Sequence, residues 1–201
     1  MSTRQLLNSA AVLGGISIFV TLWIWGQPLI CTCGYAQFWV GSIWSSGNSQ
    51  HVADWYTLSH IVHGLLIVPI GRLISPKISF NLLFFVAITT GITWEIVEHT
   101  DWVLDQFRAT TVNQGYLGDS VLNAVADYSF MMAGFFISSR MPTLSTLGVI
   151  LTFEATAAFV ARDSLLLTTM MLLHRFEAIE EWQQEINPRQ QVTIGVLEAG
   201  A

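Results

Sequence analysis

The feature that most limits how this chain can fold is a succession of long apolar windows. About 20 apolar residues in a helix span roughly 30 Å of hydrocarbon, and the sequence offers such windows near 9–29, 53–74, 78–99, 118–139 and 143–162. A shorter one follows near 164–176, which suits a crossing or a tilted, re-entrant or bundle-buried segment. Only 11% of the 201 residues are charged and mean hydropathy is +0.53, whereas a soluble domain carries roughly 25% charged residues. The expected fold is therefore all-α: one polytopic transmembrane helix bundle of about six helices over residues 1–201, without linker, repeat or low-complexity tract.

Arg4 before the first apolar run imitates a signal peptide. The run continues into Trp25-Gly26-Gln27-Pro28 with no small-residue cleavage pattern, so it reads as a retained first helix. Arg4, Arg72, Lys77, Arg140, Arg175 and Arg189 fall on one side of a six-crossing topology, and Arg108 and Arg162 on the other. The positive-inside rule then places both termini in the cytoplasm of a bacterial inner membrane. Trp25, Trp39, Trp44, Trp55, Trp94 and Trp102 gather near the outer boundary as an interfacial belt. Within the tail 177–201, Ile179, Trp182 and Ile186 have helical spacing, which gives either a short amphipathic helix on the cytoplasmic face or a solvated tail. With a net charge of −6 and no Lys/Arg-rich stretch, a nucleic-acid partner is not expected. Membrane lipids, or a larger membrane complex, are.

Depth along each helix sorts the polar residues into one layer. His60 and His63 share a face in the outer half of the second helix; Glu95, Glu98 and His99 close the third. Asp119, Asn123 and Asp127, each four apart, open the fourth, and Glu154 lies about two turns below Arg162. A charge in hydrocarbon costs several kcal/mol unless paired, hydrated or bound to an ion. Arg108 and Arg162 cannot balance five carboxylates, so a divalent metal such as Zn, Mn or Fe is the economical counter-charge. A proton or cation pathway and a purely structural polar core are the competing readings. Each element also has an ordinary role: an interhelical hydrogen bond for the two histidines, interfacial water for His99, an N-cap for Asp119, and a helix-bridging amide for Asn123. Asp127 lies too deep to cap.

The loop from Gly26 to Ala53 holds Cys31 and Cys33. A bridge across one residue would be strained. Thiol ligation is a second possibility, and small interfacial residues the preferred reading. His51 stands where it can fold over the polar layer.

Cys33-Gly34-Tyr35, the 48–51 segment NSQH, the 54–64 segment DWYTLSHIVHG, the 94–98 segment WEIVE, the 118–127 segment GDSVLNAVAD and Arg162-Asp163 together resemble a family of small alphaproteobacterial integral membrane proteins known as a domain of unknown function. A weaker likeness reaches VanZ-like membrane proteins of the cell envelope. Asp54 and His60, Gly91 and Glu95, and Asp119 and Asn123 are the matching positions, although Asp54 and His60 are six apart rather than four and Glu98 stands where Gln is usual.

The expected function is a metal-dependent hydrolase acting at the periplasmic face on an amphiphilic envelope substrate. His60, His63, Glu95, Asp119 and Asp127 are the expected ligands, Glu98 the general base, and Arg162 the group that receives an anionic headgroup. Asp54, Asn123 and Glu154 complete the polar cluster. The alternatives are a non-catalytic subunit of a larger membrane complex and, third, an ion-coupled transporter. The transporter is disfavoured by the lack of an inverted repeat and of polar residues in the inner half. No phosphate-binding loop, dinucleotide fingerprint or haem-attachment motif is present.

Overall fold

A computed structural model describes residues 2–110 and 116–187. These form α1 (Thr3–Ile24), α2 (Tyr56–Ile74), α3 (Phe80–Glu98), α4 (Asp101–Thr110), α5 (Val121–Arg140), α6 (Thr143–Ala161), α7 (Leu165–Leu173) and α8 (Glu177–Gln184). Among the described residues the only β pairing is an isolated bridge between Trp39 and Ala53. Helices α1, α2, α3, α5 and α6 are long and apolar enough to cross a membrane.

Serine starts three of the five. The Ser2 hydroxyl accepts the Gln5 N–H while Gln5 Oε1 accepts the Ser2 N–H, closing a capping box on α1. On α3 and α5 the serine hydroxyl alone caps, Ser79 accepting the Leu82 N–H and Ser120 the Asn123 N–H.

The bundle is built around α2 and α5. They approach so closely that a Cβ on Gly64 would run into the Met131 carbonyl oxygen, and one on Gly134 into that of Ile61. Away from the α5 N-terminus, Phe84 and Phe135 stack with centroids 5.6 Å apart, and Leu65, Met131 and Ile18 are fully buried. Arg72 Nη1 donates to Thr143 Oγ1 at 3.1 Å at the far end. The Arg4 guanidinium covers the Phe80 ring there, 4.2 Å from its centroid.

Two expectations change here. The window 164–176, expected as a crossing or as a tilted, re-entrant or bundle-buried segment, forms the nine-residue α7, only about 14 Å long at 1.5 Å per residue. Its N-terminus is drawn sideways by Glu154, whose carboxylate accepts the Leu165 and Leu166 N–H groups at 3.2 and 3.0 Å. Leu172 at its other end packs on Val103, Leu104, Phe107 and Tyr116. Helix α8, expected on the cytoplasmic face, instead returns to the end of α6. There Trp182 lies 4.5 Å from the Arg162 guanidinium, and Ile186 joins Ile43, Ala161, Trp44, Trp55 and Tyr56. The described part of the tail thus lies at the opposite end of the bundle from the start of α1. The tail beyond Asn187, with Arg189, lies outside the described residues.

Helix α4 was not anticipated either. Its buried face is Val103, Leu104 and Phe107, while Asp101, Trp102 and Asp105 stay exposed. Five apolar residues in ten, interrupted by Asp105 and Arg108, cannot signal a membrane helix, but they suffice for a half-buried one.

Candidate functional site

At the end capped by α4, α7 and the 26–55 loop, three spans converge on one polar chamber. Helix α2 brings His60 and His63, α3 brings Glu95 and Glu98, and α5 brings Asn123 and Asp127. Two of the three elements are pinned together by the glycine contacts described above, so their polar faces cannot avoid one another.

His60 sits at the centre. Its Nδ1 lies 3.4 Å from Glu95 Oε1, and its Nε2 lies 3.7 Å from Asp127 Oδ2. His60, Glu95 and Glu98, all buried, each present a ligand atom within 4.8 Å of the others. Glu95 Oε2 and Glu98 Oε2 are buried with no hydrogen-bond partner among the described residues, as are both amide atoms of Asn123. An orphaned buried carboxylate oxygen costs roughly 1–3 kcal/mol or more. The set of one imidazole and two carboxylates therefore fits a divalent cation of the Zn, Mn or Fe kind. With a cation on the Nδ1 side, His60 Nε2–H would face Asp127, which is the arrangement that fixes a ligating histidine's tautomer and orientation.

The cavity beside this set is about 50 Å³ and is lined by His60, His63, Trp94, Glu98, Asp119 and Asp127, among others. That holds an ion and a few waters rather than a substrate. A shallower groove of about 360 Å³ runs along the side of α3 over Thr89, Thr90, Thr93 and Val97, and shares His63 and Trp94 with the cavity.

A second buried histidine stands one layer outward. His99 Nδ1 donates to the Glu95 carbonyl at 2.7 Å, and its Nε2 accepts the Asp119 N–H at 2.9 Å. Both ring nitrogens are used. The expected exposure of His99 to interfacial water is thus replaced by a buried bracket between the α3 end and the turn entering α5. Asp119 is not the N-cap, a role taken by Ser120. Its Oδ1 accepts from the Tyr116 hydroxyl at 2.7 Å, and that hydroxyl also lies 3.2 Å from Glu98 Oε1. Burial raises the Asp119 carboxyl above its ordinary range, against the opposing pull of His99 and of hydrogen bonds from Tyr116 and Ser49. Burial and the neighbouring Asp119 and Glu98 hold the Tyr116 phenol far above its own.

Other expected site residues do structural work. Asp54 Oδ2 accepts the Ser49 N–H at 2.7 Å and Oδ1 the Tyr56 N–H at 2.8 Å, so it ties the loop to the start of α2. Burial pushes its carboxyl up to about 6. Glu154 accepts two N–H groups of the first turn of α7, whose N-cap is Ser164. Arg162 is turned away from the chamber: it caps α6 in the left-handed region, covers Trp182, and reaches Glu185 at 3.4 Å. It is not placed to receive a headgroup beside His60. His63 lines the cavity but lies outside the three-residue ligand set, and Glu98, expected as the base, lies inside it.

Sequence reasoning missed Tyr116 and Thr57. Thr57 Oγ1 donates to Asp127 Oδ1 at 3.3 Å and accepts the Asp54 N–H at 3.0 Å. Thr57 is one helical turn before His60, a spacing that places it on the same face. Tyr116 lies in a loop and had no periodic signal. The structure also joins Cys31 and Cys33 as a disulfide, with Cα atoms 5.1 Å apart. The bridge corrects the preferred reading of the pair as small interfacial residues; the loop turns sharply here, with the Gly34 N–H bonded to the Cys31 carbonyl at 3.0 Å, and so brings the two together.

Fold and site together define a multi-span helical membrane protein with a buried histidine–carboxylate chamber at one end. The chain belongs to the family described as Protein of unknown function (DUF2585), whose model matches residues 22–185. It is 42% identical over 162 residues to a UPF0314 protein of Paracoccus denitrificans, covering 81% of this chain and 83% of that one. A UPF0314 protein of Rhizobium etli is 41% identical over 84% and 86% of the two chains. One of Rhizobium meliloti is 38% identical over 90% and 92%. Nothing in these names extends the VanZ likeness. No solved structure matches the chain.

Proposed function

We propose that this protein is a metal-dependent hydrolase of the inner membrane, with its chamber at the periplasmic end, acting on an amphiphilic envelope substrate. The observation that carries this reading is the buried His60–Glu95–Glu98 set, whose ligand atoms lie within 4.8 Å of one another beside orphaned carboxylate oxygens. Arg4, Arg72, Lys77 and Arg140 lie at the end away from the chamber, which supports a cytoplasmic N-terminus and five crossings. Arg108, Arg162 and Arg175 lie toward the chamber end, and each pairs with an acid.

A divalent ion held by the set would lower the pKa of a bound water and so supply hydroxide at neutral pH. Asp127 orients His60. Asp119, which lines the cavity and lies outside the ligand set, takes the general-base role first assigned to Glu98. Tyr116 keeps its proton and links Asp119 to Glu98. The groove shared through His63 and Trp94 gives a lipid-like substrate a lateral approach from the bilayer. Closure of the other half by the Phe84–Phe135 stack favours this reading over transport, which needs a continuous polar path.

The test is elemental analysis of detergent-purified protein together with hydrolysis of an envelope lipid extract. One metal equivalent is expected, lost in His60→Ala and Glu95→Gln. Asp119→Asn should keep the metal and lose product release. A fully folded, metal-free protein that binds none of Zn, Mn or Fe sinks the proposal.

A further inference from the structure

The 26–55 loop carries chemistry that the chamber does not use. Cys31 is buried and Cys33 exposed, so their bridge offers one sulfur to the outside. His51, itself buried, places Nε2 3.9 Å from Cys33 Sγ. Its other nitrogen, Nδ1, accepts the Gln37 N–H at 3.2 Å, and the ring stacks on Tyr35 with centroids 5.3 Å apart. A neutral imidazole that accepts at Nδ1 carries its proton on Nε2. The atom facing Cys33 is therefore a donor. That suits a thiolate and opposes metal ligation, which would need a bare Nε2. On the other side, the Cys33 N–H donates to Cys31 Sγ at 3.2 Å, so each sulfur has its own donor.

Beside the bridge runs a cleft of about 330 Å³. Gln27, Thr32, Ser45, Asn48, Gln50 and Gly118 line it, and Thr32 stands between the two cysteines. Asn48 Oδ1 is buried with no hydrogen-bond partner among the described residues. Amide and hydroxyl groups along the cleft wall suit the main chain of an extended peptide.

We infer that Cys31, Cys33 and His51 form a dithiol–disulfide exchange site whose co-reactant is a protein dithiol, docked through an extended segment in the Thr32–Asn48 cleft. A co-reactant thiolate attacks the exposed Cys33 Sγ. The Cys31–Cys33 bond breaks, and its electron pair leaves on Cys31, which is held by the Cys33 N–H and then takes a proton from solvent. The co-reactant's second thiol attacks the co-reactant sulfur of the mixed disulfide. It closes the co-reactant's own bridge and releases Cys33 as a thiolate facing His51 Nε2–H. The co-reactant loses two electrons, and Cys31 and Cys33 gain them as two thiols; the reverse sequence oxidises a dithiol pair here. The sulfur site uses none of the chamber's ligand set and stands without the hydrolase reading; the cleft and the chamber share Tyr116 as a wall.

The test uses the full chain in detergent with the His60→Ala change, so that any metal at the chamber does not enter the result. Before reduction, maleimide should add to neither cysteine. Equilibration with dithiothreitol, or with a reduced Cys-x-x-Cys peptide, should expose two thiols while the thermal unfolding midpoint stays that of a folded protein. In reduced protein, His51→Phe keeps the ring on Tyr35 but removes the Nε2–H, and should slow alkylation of Cys33 by about tenfold. His51→Gln, which restores an N–H donor, should recover part of that rate. The proposal is overturned if both thiols react before reduction, or if reduction occurs only on unfolding. It is also overturned if His51→Phe leaves the rate unchanged, or if the reduced protein takes up one zinc that His51→Phe abolishes.

Discussion

Two buried histidines, a few residues apart in depth, show how differently the same side chain can be housed. His99 has an N–H to give and a lone pair to fill, and the backbone of Glu95 and Asp119 meets both at 2.7 and 2.9 Å. His60 lies 3.4 Å from Glu95 and 3.7 Å from Asp127, and Glu95 Oε2 and the nearby Glu98 Oε2 have no hydrogen-bond partner among the described residues. The first is a closed circuit that sets the geometry of a turn. The second is left open, and an open arrangement in a buried place calls for an ion. The contrast teaches that burial alone does not mark a site; unmet hydrogen-bonding capacity does.

The sharpest way to break this comparison is to remove each ring. His60→Ala should lower metal affinity by three orders of magnitude or so, with little change in the thermal midpoint of the metal-free protein. His99→Ala should do the reverse, because it leaves the Glu95 carbonyl and the Asp119 N–H orphaned, at about 1–3 kcal/mol each. Metal content and thermal unfolding of the two variants, measured side by side, decide whether the two histidines have different roles.

Next comes pH. Asp54 and Asp163, the latter accepting hydrogen bonds from the cavity-lining Thr168 and Tyr56 hydroxyls at 2.9 and 3.3 Å, lie outside the spans, and burial raises each carboxyl to about 6 from an ordinary 3.8. Their folded-state pKa values therefore lie above the unfolded ones. The resulting stabilisation is complete below about pH 4 and is lost as pH rises through 6, up to about 3 kcal/mol per group. The thermal midpoint should fall between pH 4 and 7, and Asp163→Asn should flatten that fall. A midpoint that rises across the same window contradicts the assignment.

A smaller effect is expected where Asp127 faces His60 Nε2. Asp127→Asn should weaken metal binding about 10–100-fold without abolishing it, as loss of an orienting carboxylate does. If it abolishes binding as completely as His60→Ala, Asp127 is a direct ligand and the set must be redrawn. The smallest effect belongs to Arg162. Its partly exposed pair with Glu185 is worth less than about 1 kcal/mol, so Arg162→Gln should leave metal content and lipid hydrolysis unchanged.

The helices were largely legible in the sequence, because a 20-residue apolar window has few folds available to it in hydrocarbon. His60, Glu95, Glu98 and Asp127 were legible as one layer for a related reason: charge at a common depth must be compensated there. Their roles were not. Spacing put Glu98 beside Glu95 on one face, but only the meeting of α2 with α3 shows which oxygen approaches Nδ1 and which residue faces Nε2. Glu154 and Arg162, two turns apart near the end of α6, look equally eligible, yet one accepts N–H groups at the start of α7 and the other lies over Trp182.

Hydrophobic length is a local property, and the sequence by itself therefore determined a membrane bundle with its polar residues gathered toward one end. Where a marginal segment goes is not local. The window at 164–176 is too short to settle its own course, and in the structure it lies across the chamber with its first N–H groups held by a carboxylate of the preceding helix. The closure of His99, the opening left at His60 and the pairing of His51 with Cys33 were likewise decided only in three dimensions. Each depends on a hydrogen-bond partner from a distant part of the chain, and no periodicity along one element can announce such a partner.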